Sequence, residues 1–425
     1  MSAIRRGIED VRRFDRSVYV VAVGQLINVF GVGVVYPFAT LYFYRTIGIP
    51  FSLVGLGLLA NNVATAVGTI VGGTLADRYG RKPVMVASMG TSAFTLAAYA
   101  TVGTALEFIA VATAAGLTIG LYTPASHAMI ADLTSGEERD RAYGLLKVAN
   151  NTGFGSGFVA GGLLFGLVQQ SVFVIDGLTS GVVAIVLAVT LPRAYDGSDE
   201  ATGVRRTVTN LGRIATRPRM FAVAVLNLGF AIAYAQMQST VPVFAEGHLG
   251  LTSAEIGTLY VLNPLVVVLF QLPVVAWAQR WRRTRGLVLS TGFWAASFVA
   301  IVLAYPAPAI VGVALVGAFL VLRTVGELLH SPLLTALVSD MSDVDTRGTQ
   351  LSVLEVAKRI GFGVGPVIGG AFFDLGMQRL LWPTLIAMCG LLAIGLLALE
   401  RQVSPLENGR RSAEEAEAPV DAASD

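Results

Sequence analysis

The sequence predicts an all-α membrane protein whose twelve transmembrane helices form two pseudo-symmetric halves of six. Three observations predict this fold class. The 425 residues are 54% hydrophobic and only 14% charged, whereas about a quarter of the residues in a soluble domain are charged. Apolar runs long enough to cross a bilayer, about 20 residues each, recur along the chain. A stretch of the first half also repeats in the second half.

Twelve apolar runs account for most of the chain. We interpret them as helices, because the strands of an outer-membrane barrel would alternate in hydrophobicity over short segments. The predicted spans, numbered 1 to 12, are residues 17–43, 51–75, 83–102, 105–130, 142–168, 171–191, 220–244, 255–279, 286–305, 309–332, 348–372 and 380–400.

One long internal segment, residues 192–219, separates the first six spans from the last six. It defines an N-terminal half over residues 17–191 and a C-terminal half over residues 220–400. In residues 1–16, apolar side chains and arginines occupy different faces of a helix. This pattern indicates either an amphipathic segment on the membrane surface or a basic start that only sets the orientation. Residues 401–425 are rich in Glu, Ala and Ser, and we expect a disordered acidic tail.

The distribution of cations predicts the orientation of the chain. Alternate loops hold most of the Arg and Lys residues, and the loops between them hold only Arg45 and Arg379. Cytoplasmic loops carry the excess of Lys and Arg, so both termini and the central segment are predicted to be cytoplasmic. No cleavable signal peptide is evident. We therefore expect a multi-pass protein of the plasma membrane whose first span is its own signal anchor.

The two halves share a repeated pattern. When residues 124–162 are shifted by 208 positions, they coincide with residues 332–370. The residues that match are Pro124, Asp132, Arg139, Gly153, Phe154, Gly155, Gly157, Gly161 and Gly162 with Pro332, Asp340, Arg347, Gly361, Phe362, Gly363, Gly365, Gly369 and Gly370. Spans 4 and 5 therefore repeat as spans 10 and 11. In transporters built from two related halves, the substrate binds near the membrane midplane between them.

A short charged loop joins spans 2 and 3. Residues 73–85 read Gly-Thr-Leu-Ala-Asp-Arg-Tyr-Gly-Arg-Lys-Pro-Val-Met. Its two glycines allow a close helix approach and a tight turn. The candidate gating residues of this loop are Gly73, Asp77, Arg78, Gly80, Arg81 and Lys82.

The loop resembles, in order and spacing, the signature G-x-L-A-D-R-x-G-R-K of the major facilitator superfamily. The resemblance implies a twelve-helix secondary transporter, similar to the drug:proton antiporter type. It also implies that Asp77 caps the start of span 11 and engages the loop arginine, which latches the halves on the cytoplasmic side. A helix N-terminus favours negative charge. The alternative is a positive loop with a fortuitous aspartate. The second half carries a degraded copy at residues 279–285, with Gln279 at the aspartate position.

Two positions depart from the antiporter pattern. A motif of the form G-x-x-x-G-P-x-x-G-G is associated with span 5 of drug antiporters. Here span 5 has Phe158 at the proline position, and the full motif lies in span 11 around Pro366. The antiporter group also often carries an arginine in span 4, where this chain has Ala112. The first departure weakens the drug-antiporter interpretation, and close packing of glycines is the favoured explanation of the span-11 motif. The second departure leaves proton coupling through a span-4 arginine unsupported.

Charged residues inside the spans are the strongest functional candidates, because they are costly in lipid and tend to face a cavity. In span 10, an arginine, a glutamate and a histidine share one helical face, and the first two can pair. We expect a proton carrier among Glu327, Arg323, His330 and Glu355, with Glu327 as the first choice. In span 11 the glutamate can reach a cation one turn away, and gating contacts compete there with substrate contacts.

Polar residues in several spans are candidates for lining a substrate cavity. Spans 1, 4, 7 and 10 line the cavity in the fold that the chain resembles. The candidates are Asn28, Asn61, Asn227, Tyr234, Gln238, Asn263, Lys147, Lys358 and Arg359. The alternative for each uncharged residue is a hydrogen bond between helices, worth about 1 kcal/mol or less.

The predicted function is secondary active transport of a small organic solute by alternating access. Proton-coupled efflux is the first hypothesis. The alternatives are a symporter or uniporter for a sugar or organic acid, and a membrane sensor or adaptor that transports nothing. No nucleotide-binding loop, metal-ligand cluster or nucleophile motif is recognisable in the sequence, so we expect no enzyme, no cofactor, no metal site and no nucleic-acid partner. The expected partners are the substrate, protons and the lipid bilayer, and we expect a monomer.

Overall fold

The computed structural model describes residues 14–192, 204–278, 281–343 and 346–409, and every regular element in these ranges is helical. The amphipathic start expected over residues 1–16 lies almost entirely outside the described residues. The helices are α1 Arg16–Leu41, α2 Phe51–Tyr79, α3 Arg81–Ala98, α4 Ala105–Leu133, α5 Gly136–Val168, α6 Ser171–Thr190, α7 Val204–Ala215, α8 Pro218–Ala235, α9 Thr240–Leu249, α10 Ser253–Tyr260, α11 Leu262–Ala278, α12 Arg283–Ala304, α13 Ala309–Asp340, α14 Arg347–Asp374 and α15 Gln378–Glu400.

The predicted spans correspond to these helices one by one. Spans 1 to 6 are α1 to α6, span 7 is α8 with α9, span 8 is α10 with α11, and spans 9 to 12 are α12 to α15. Ten of the twelve are long and apolar enough to cross a membrane, among the described residues. The other two are α5 and α14, which have 33 and 28 residues and therefore also have the necessary length. Charged residues crowd the start of α5, and α14 carries Arg347 at its start and Glu355, Lys358 and Arg359 before its middle.

The described residues group into two compact units, which do not coincide with the two halves of the sequence. The first unit contains the residues up to Thr209, Ala231–Pro264 and Arg359–Leu381. In it α1 packs against α5 and α6, α2 against α4, α3 against α4 and α6, and α10 against α5. The second unit contains Asn210–Phe230, Leu265–Lys358 and the residues from Trp382 onward, and α12 packs against α13 in it.

Two segments are more ordered than the sequence suggested. The central segment contains α7, a strongly amphipathic helix. Near its end Ile214 is buried, and in its middle Val208 is half exposed. Its apolar residues recur with helical spacing, a signal that the high density of arginines obscured. Residues 401–409, expected to belong to a disordered tail, form turns against the start of α12. There Asn408 accepts a hydrogen bond from the Thr284 amide at 2.9 Å.

Spans 7 and 8 are each interrupted. Between α8 and α9 the chain leaves the helix at residues 236–239. The fully buried Gln236 amide donates to the Gly365 carbonyl at 3.1 Å, and its oxygen accepts from the Thr240 hydroxyl at 2.9 Å. The Tyr260 hydroxyl, at the end of α10, donates to the Met237 carbonyl. These side chains satisfy backbone groups that lipid could not.

Candidate functional site

The loop between α2 and α3 turns sharply at Gly80. Its φ of 92° lies in a region that residues with a side chain rarely adopt, so the predicted tight turn is present. Gly73 is less tightly packed than expected, because the nearest atom to a Cβ added there would be Pro124 Cβ at 3.9 Å. The close helix approach occurs instead at Gly72, where an added Cβ would lie 2.7 Å from Leu121 Cα.

Arg81 is the centre of the charged network in this loop. Its guanidinium lies 3.4 Å from the Asp77 carboxylate and 3.1 Å from the Asp132 carboxylate, and it donates to the Ala76 carbonyl at 2.9 Å. The arginine side chain is only 11% exposed, while that of Asp77 is 46% exposed. One cation therefore ties the end of α2 to the end of α4, and the carboxylate of Asp77 is left open on one side.

The other two cations of the loop have different surroundings. The Lys82 ammonium donates to the Leu191 carbonyl at the end of α6. The Arg78 guanidinium lies over the Tyr79 ring at 5.5 Å from its centroid. Lys82 thus fixes α3 to α6, whereas Arg78 stays on its own helix turn.

The degraded copy of this loop keeps one of its ion pairs. In the second unit Arg283 pairs with Asp340 and donates to the Ala336 carbonyl at 2.6 Å. Asp340 corresponds to Asp132 by the internal repeat, and Arg283 corresponds to Arg81 in the degraded copy of the loop. An arginine that ties this loop to the end of a later helix of the same half is therefore present in both halves, and the additional aspartate belongs to the first half alone.

In α13 the predicted ion pair forms. Arg323 and Glu327 are 2.9 Å apart. The arginine side chain is 1% exposed and the glutamate side chain is 26% exposed. The pair therefore has a buried cation and a carboxylate that reaches a less enclosed environment, so the two partners differ in their access to water.

His330 occupies a half-buried position among aromatic rings. Its ring centroid lies 4.1 Å from that of Phe230 in α8 and 5.8 Å from that of Trp294 in α12. Its Nε2 atom is buried, with no hydrogen-bond partner in the part of the chain that the structure describes. These surroundings favour packing between α8, α12 and α13 as the role of this histidine.

The charged candidates of spans 5 and 11 are more exposed. The carboxylate of Glu355 lies 2.6 Å from the ammonium of Lys358, and both side chains are nearly half exposed. Arg359 is half-buried, and Lys147 is exposed. The expected pairing within α14 is thus present.

Two of the uncharged cavity candidates form hydrogen bonds between helices. The Asn61 amide donates to the Ala112 carbonyl at 2.8 Å, and the Asn227 amide donates to the Leu354 carbonyl at 2.8 Å. This geometry favours the structural alternative for both. Of the remaining candidates, Asn28 and Gln238 are buried, Asn263 is half-buried, and the Tyr234 ring packs on the Phe362 ring at 4.7 Å.

Asp176 in α6 is a buried carboxyl group that the sequence analysis missed. The residue is 3% exposed, and its Oδ1 has no hydrogen-bond partner among the described residues. Helix α1 lies directly against it, because a Cβ added at Gly31 would be 2.9 Å from the carboxyl carbon. The hydroxyl of Ser180, one turn further on, is also buried. An acidic residue inside a predicted span was itself a signal for this site.

The glycines of α5 separate into two packing faces. A Cβ added at Gly157 would lie 2.9 Å from Gly33 Cα in α1, and one added at Gly162 would lie 2.9 Å from Gly257 Cα in α10. One face of α5 therefore packs against the first helix of its own half. The other face contacts a helix from the other half of the sequence.

The repeat places α14 in the same arrangement. A Cβ added at Gly365 would lie 2.7 Å from Ala235 Cβ in α8, and one added at Gly370 would lie 2.5 Å from the Ser52 amide nitrogen in α2. Equivalent glycines thus serve equivalent contacts in the two halves. The span-11 motif is a packing surface on both of its sides.

The N-terminus of α2 is capped by Asp374 from the end of α14. The two carboxylate oxygens accept from the Phe51 amide at 2.9 Å and from the Ser52 amide at 2.8 Å. Nearby, Arg45 and Glu246 pair at 3.4 Å. Because α2 runs from this cap to Asp77, the two carboxylates mark opposite ends of the same helix.

The sequence matches the family model of the Major Facilitator Superfamily over residues 21–252 and again over residues 226–423. It is 26% identical over 409 residues to the multidrug resistance protein MdtH of Escherichia coli (strain SMS-3-5 / SECEC), covering 92% of this chain and 96% of that protein. It is 26% identical over 343 residues to the uncharacterized MFS-type transporter YqjV of Bacillus subtilis (strain 168), covering 80% of this chain and 82% of that protein.

Solved structures of transporters share the fold. The nucleoside transporter NupG superposes with a TM-score of 0.76 at 13% identity, covering 91% of this chain and 100% of that chain. The peptide transporter POT in complex with sulfate gives a TM-score of 0.74 at 15% identity, covering 92% of this chain and 96% of that chain. The predicted fold class of two related six-helix halves is confirmed. The chain belongs to the Major Facilitator Superfamily and is a multi-pass membrane transporter.

Proposed function

We propose that this transporter exports small amphipathic organic compounds in exchange for protons. The observation that carries the proposal is the Arg323–Glu327 pair in α13, which joins a buried cation to a partly accessible carboxylate. The likeness to MdtH, a multidrug resistance protein, over most of both chains supports export of this substrate class.

The ion pair provides a physical route to proton coupling. A buried arginine needs a negative partner, because an isolated charge inside a membrane protein is costly. When Glu327 takes up a proton, Arg323 loses that partner, and the arrangement around it becomes less stable. A conformation or a substrate that compensates the positive charge of Arg323 is then favoured. Protonation of Glu327 would in this way be linked to the transport cycle.

Asp176 is a second candidate for the proton carrier. It lies in the first half of the sequence, against α1, and no cation of the described residues pairs with it. A buried carboxyl group without a cation is far less costly when protonated. Its tight enclosure against Gly31 gives it less access to water than Glu327, so we place it second.

Uphill transport in proteoliposomes tests the proposed function. The purified protein is reconstituted, a pH gradient is imposed, and the accumulation of a lipophilic organic cation is followed by fluorescence. We expect accumulation that requires the gradient and stops when a protonophore collapses it. Exchange of solute without any response to the gradient would identify a uniporter instead. No solute movement at all would favour a sensor or adaptor.

The charged loop is proposed to act as a gate on the predicted cytoplasmic side of the membrane. Replacing Asp77 with asparagine removes one of the two carboxylates bound to Arg81 and keeps most of the shape. We expect normal membrane insertion but transport reduced by about tenfold. A lost charge-assisted contact is worth about 1.5 kcal/mol at the low end of its range, and the low end applies because the Asp77 side chain is 46% exposed. Initial transport rates at equal amounts of inserted protein measure the effect.

A matched control for this variant is Asp140→Asn. Asp140 is exposed and lies near the start of α5, on the same predicted side, and no ion pair of this residue occurs among the described residues. It should transport like the parent. Cysteine labelling from the cytoplasmic side should increase in the Asp77 variant only. Equal labelling in the two variants would contradict the gating role.

A further inference from the structure

A cavity in the second unit lies where four membrane helices end. Its lining residues come from just before and within the first turn of α8, just after the end of α13, the first turn of α14 and just after the end of α15. They are Arg217, Pro218, Arg219, Met220, Met341, Gln350 and Gln402, and the cavity measures about 540 Å³. A cavity at the common end of transmembrane helices lies at the depth of the lipid headgroups.

Two arginines give this cavity a positive charge. Arg217 is exposed, and its guanidinium forms no ion pair with any residue that the structure describes. Arg219 has one acidic neighbour, Glu407, at the long distance of 3.8 Å. The N-terminus of α8, which begins at Pro218, adds a partial positive charge in the same place. The positive charge of the two arginines and the helix N-terminus is thus opposed in this place by the Glu407 carboxylate at a long distance.

We propose that this cavity, the Arg217/Arg219 pocket, binds the headgroup of an anionic phospholipid. Guanidinium groups bind phosphate oxygens in pairs of parallel hydrogen bonds. The amide side chains of Gln350 and Gln402 can accept and donate to glycerol hydroxyls, and the methionines Met220 and Met341 provide an apolar wall for the glycerol backbone. The volume falls within the range of small-molecule sites.

The pocket is distinct from the transport site of the proposed function. None of its residues belongs to the Arg323–Glu327 pair or to the loop around Asp77. The lipid would bind where α8, α13, α14 and α15 end, so its headgroup would hold these four helix ends together. Anionic lipid should therefore stabilise the second unit whether or not the protein exports drugs.

The test uses the full-length protein in detergent, titrated with phosphatidylglycerol while its melting temperature is recorded. The parent should be stabilised. The variant Arg217→Gln/Arg219→Gln should need about 25-fold more phosphatidylglycerol for the same shift, since each arginine near an anionic surface contributes about fivefold. Native mass spectrometry should find correspondingly less phosphatidylglycerol bound to this variant. Both arginines are exposed, so the substitutions should leave folding intact.

A matched control removes two other exposed arginines of the same predicted side, in the variant Arg16→Gln/Arg213→Gln. It should respond to phosphatidylglycerol like the parent. An equal loss of response in both variants would mean that general surface charge causes the effect, and it would overturn the proposal. Phosphatidylcholine and inorganic phosphate are titrated in parallel. If inorganic phosphate stabilises the parent as well as phosphatidylglycerol does, the pocket is a site for free phosphate and the lipid assignment is wrong.

A third outcome involves the acidic C-terminal residues of the chain itself. The variant Glu414→Gln/Glu415→Gln/Glu417→Gln should have the melting temperature of the parent and the same response to phosphatidylglycerol. If it melts lower than the parent, and if phosphatidylglycerol has no effect on the parent, the pocket is occupied by the tail. That result would also overturn the proposal.

Discussion

Replacing Glu327 with glutamine should abolish uphill transport while leaving downhill exchange of substrate in place. Glutamine keeps the size and the hydrogen bonds of the side chain but cannot exchange a proton. With a gradient of about one pH unit, one-for-one exchange supports at most about a tenfold concentration ratio, because about 1.4 kcal/mol corresponds to a factor of ten. We expect the ratio to fall from near this limit to about one, measured in proteoliposomes.

The matched variants are Glu327→Asp and Asp176→Asn. The aspartate variant keeps a carboxylate near Arg323 and should retain part of the coupling, with a shifted pH optimum. If Glu327 is the proton carrier, Asp176→Asn should still concentrate substrate. In the reverse outcome, Asp176→Asn loses coupling and Glu327→Gln keeps it. The proton site would then lie at the contact between α1 and α6. Full coupling in both variants would direct the search to Glu355.

Local features of the site were predictable from the sequence because they depend on neighbours in the chain. The spacing of Arg323 and Glu327 is one helical turn, so their ion pair required only that span 10 be a helix. The turn at Gly80 likewise follows from a glycine between two helices. The pairing of Arg81 with Asp77 belongs to the same class, since the two residues are four positions apart.

Long-range partners could not be derived in the same way. The contact of Arg81 with Asp132 joins residues from different spans, and the donation from Asn61 to the Ala112 carbonyl uses a backbone acceptor that no side-chain pattern identifies. Which of the span-11 glycines contact α8 and which contact α2 depends on the helices that lie on the two sides of α14. Asp176 is a different case, because its position within span 6 already marked it as an intramembrane carboxyl group.

Replacing Gly370 with leucine should reduce transport more than any other single glycine substitution in α14. A Cβ there would lie 2.5 Å from both the Phe51 carbonyl carbon and the Ser52 nitrogen. Real Cβ atoms do not approach backbone this closely, so α2 must move away. The movement also pulls the Phe51 and Ser52 amides from the Asp374 carboxylate, which now accepts from both. The capped arrangement of α2 and α14 is therefore lost.

The expected size follows from the cost of overpacking. Inserting side-chain atoms into a well-packed contact costs about 1–3 kcal/mol, which changes the population of a conformation by about five- to 150-fold. If alternating access requires α2 and α14 to close at this end, transport should fall by a factor in this range. The measurement is the initial rate of solute exchange at equal amounts of reconstituted protein.

The chain offers a matched control in Gly390→Leu. Gly390 also lies in a long membrane helix, α15, but an added Cβ would find no atom within 4 Å. This variant should insert, fold and transport like the parent. In the Gly370 variant, a cysteine placed near Asp374 should become more reactive to an impermeant thiol reagent, because the closed end has opened. If transport is lost while this reactivity stays low, the glycine supports folding alone, and closure at the Asp374 end is not part of the transport cycle.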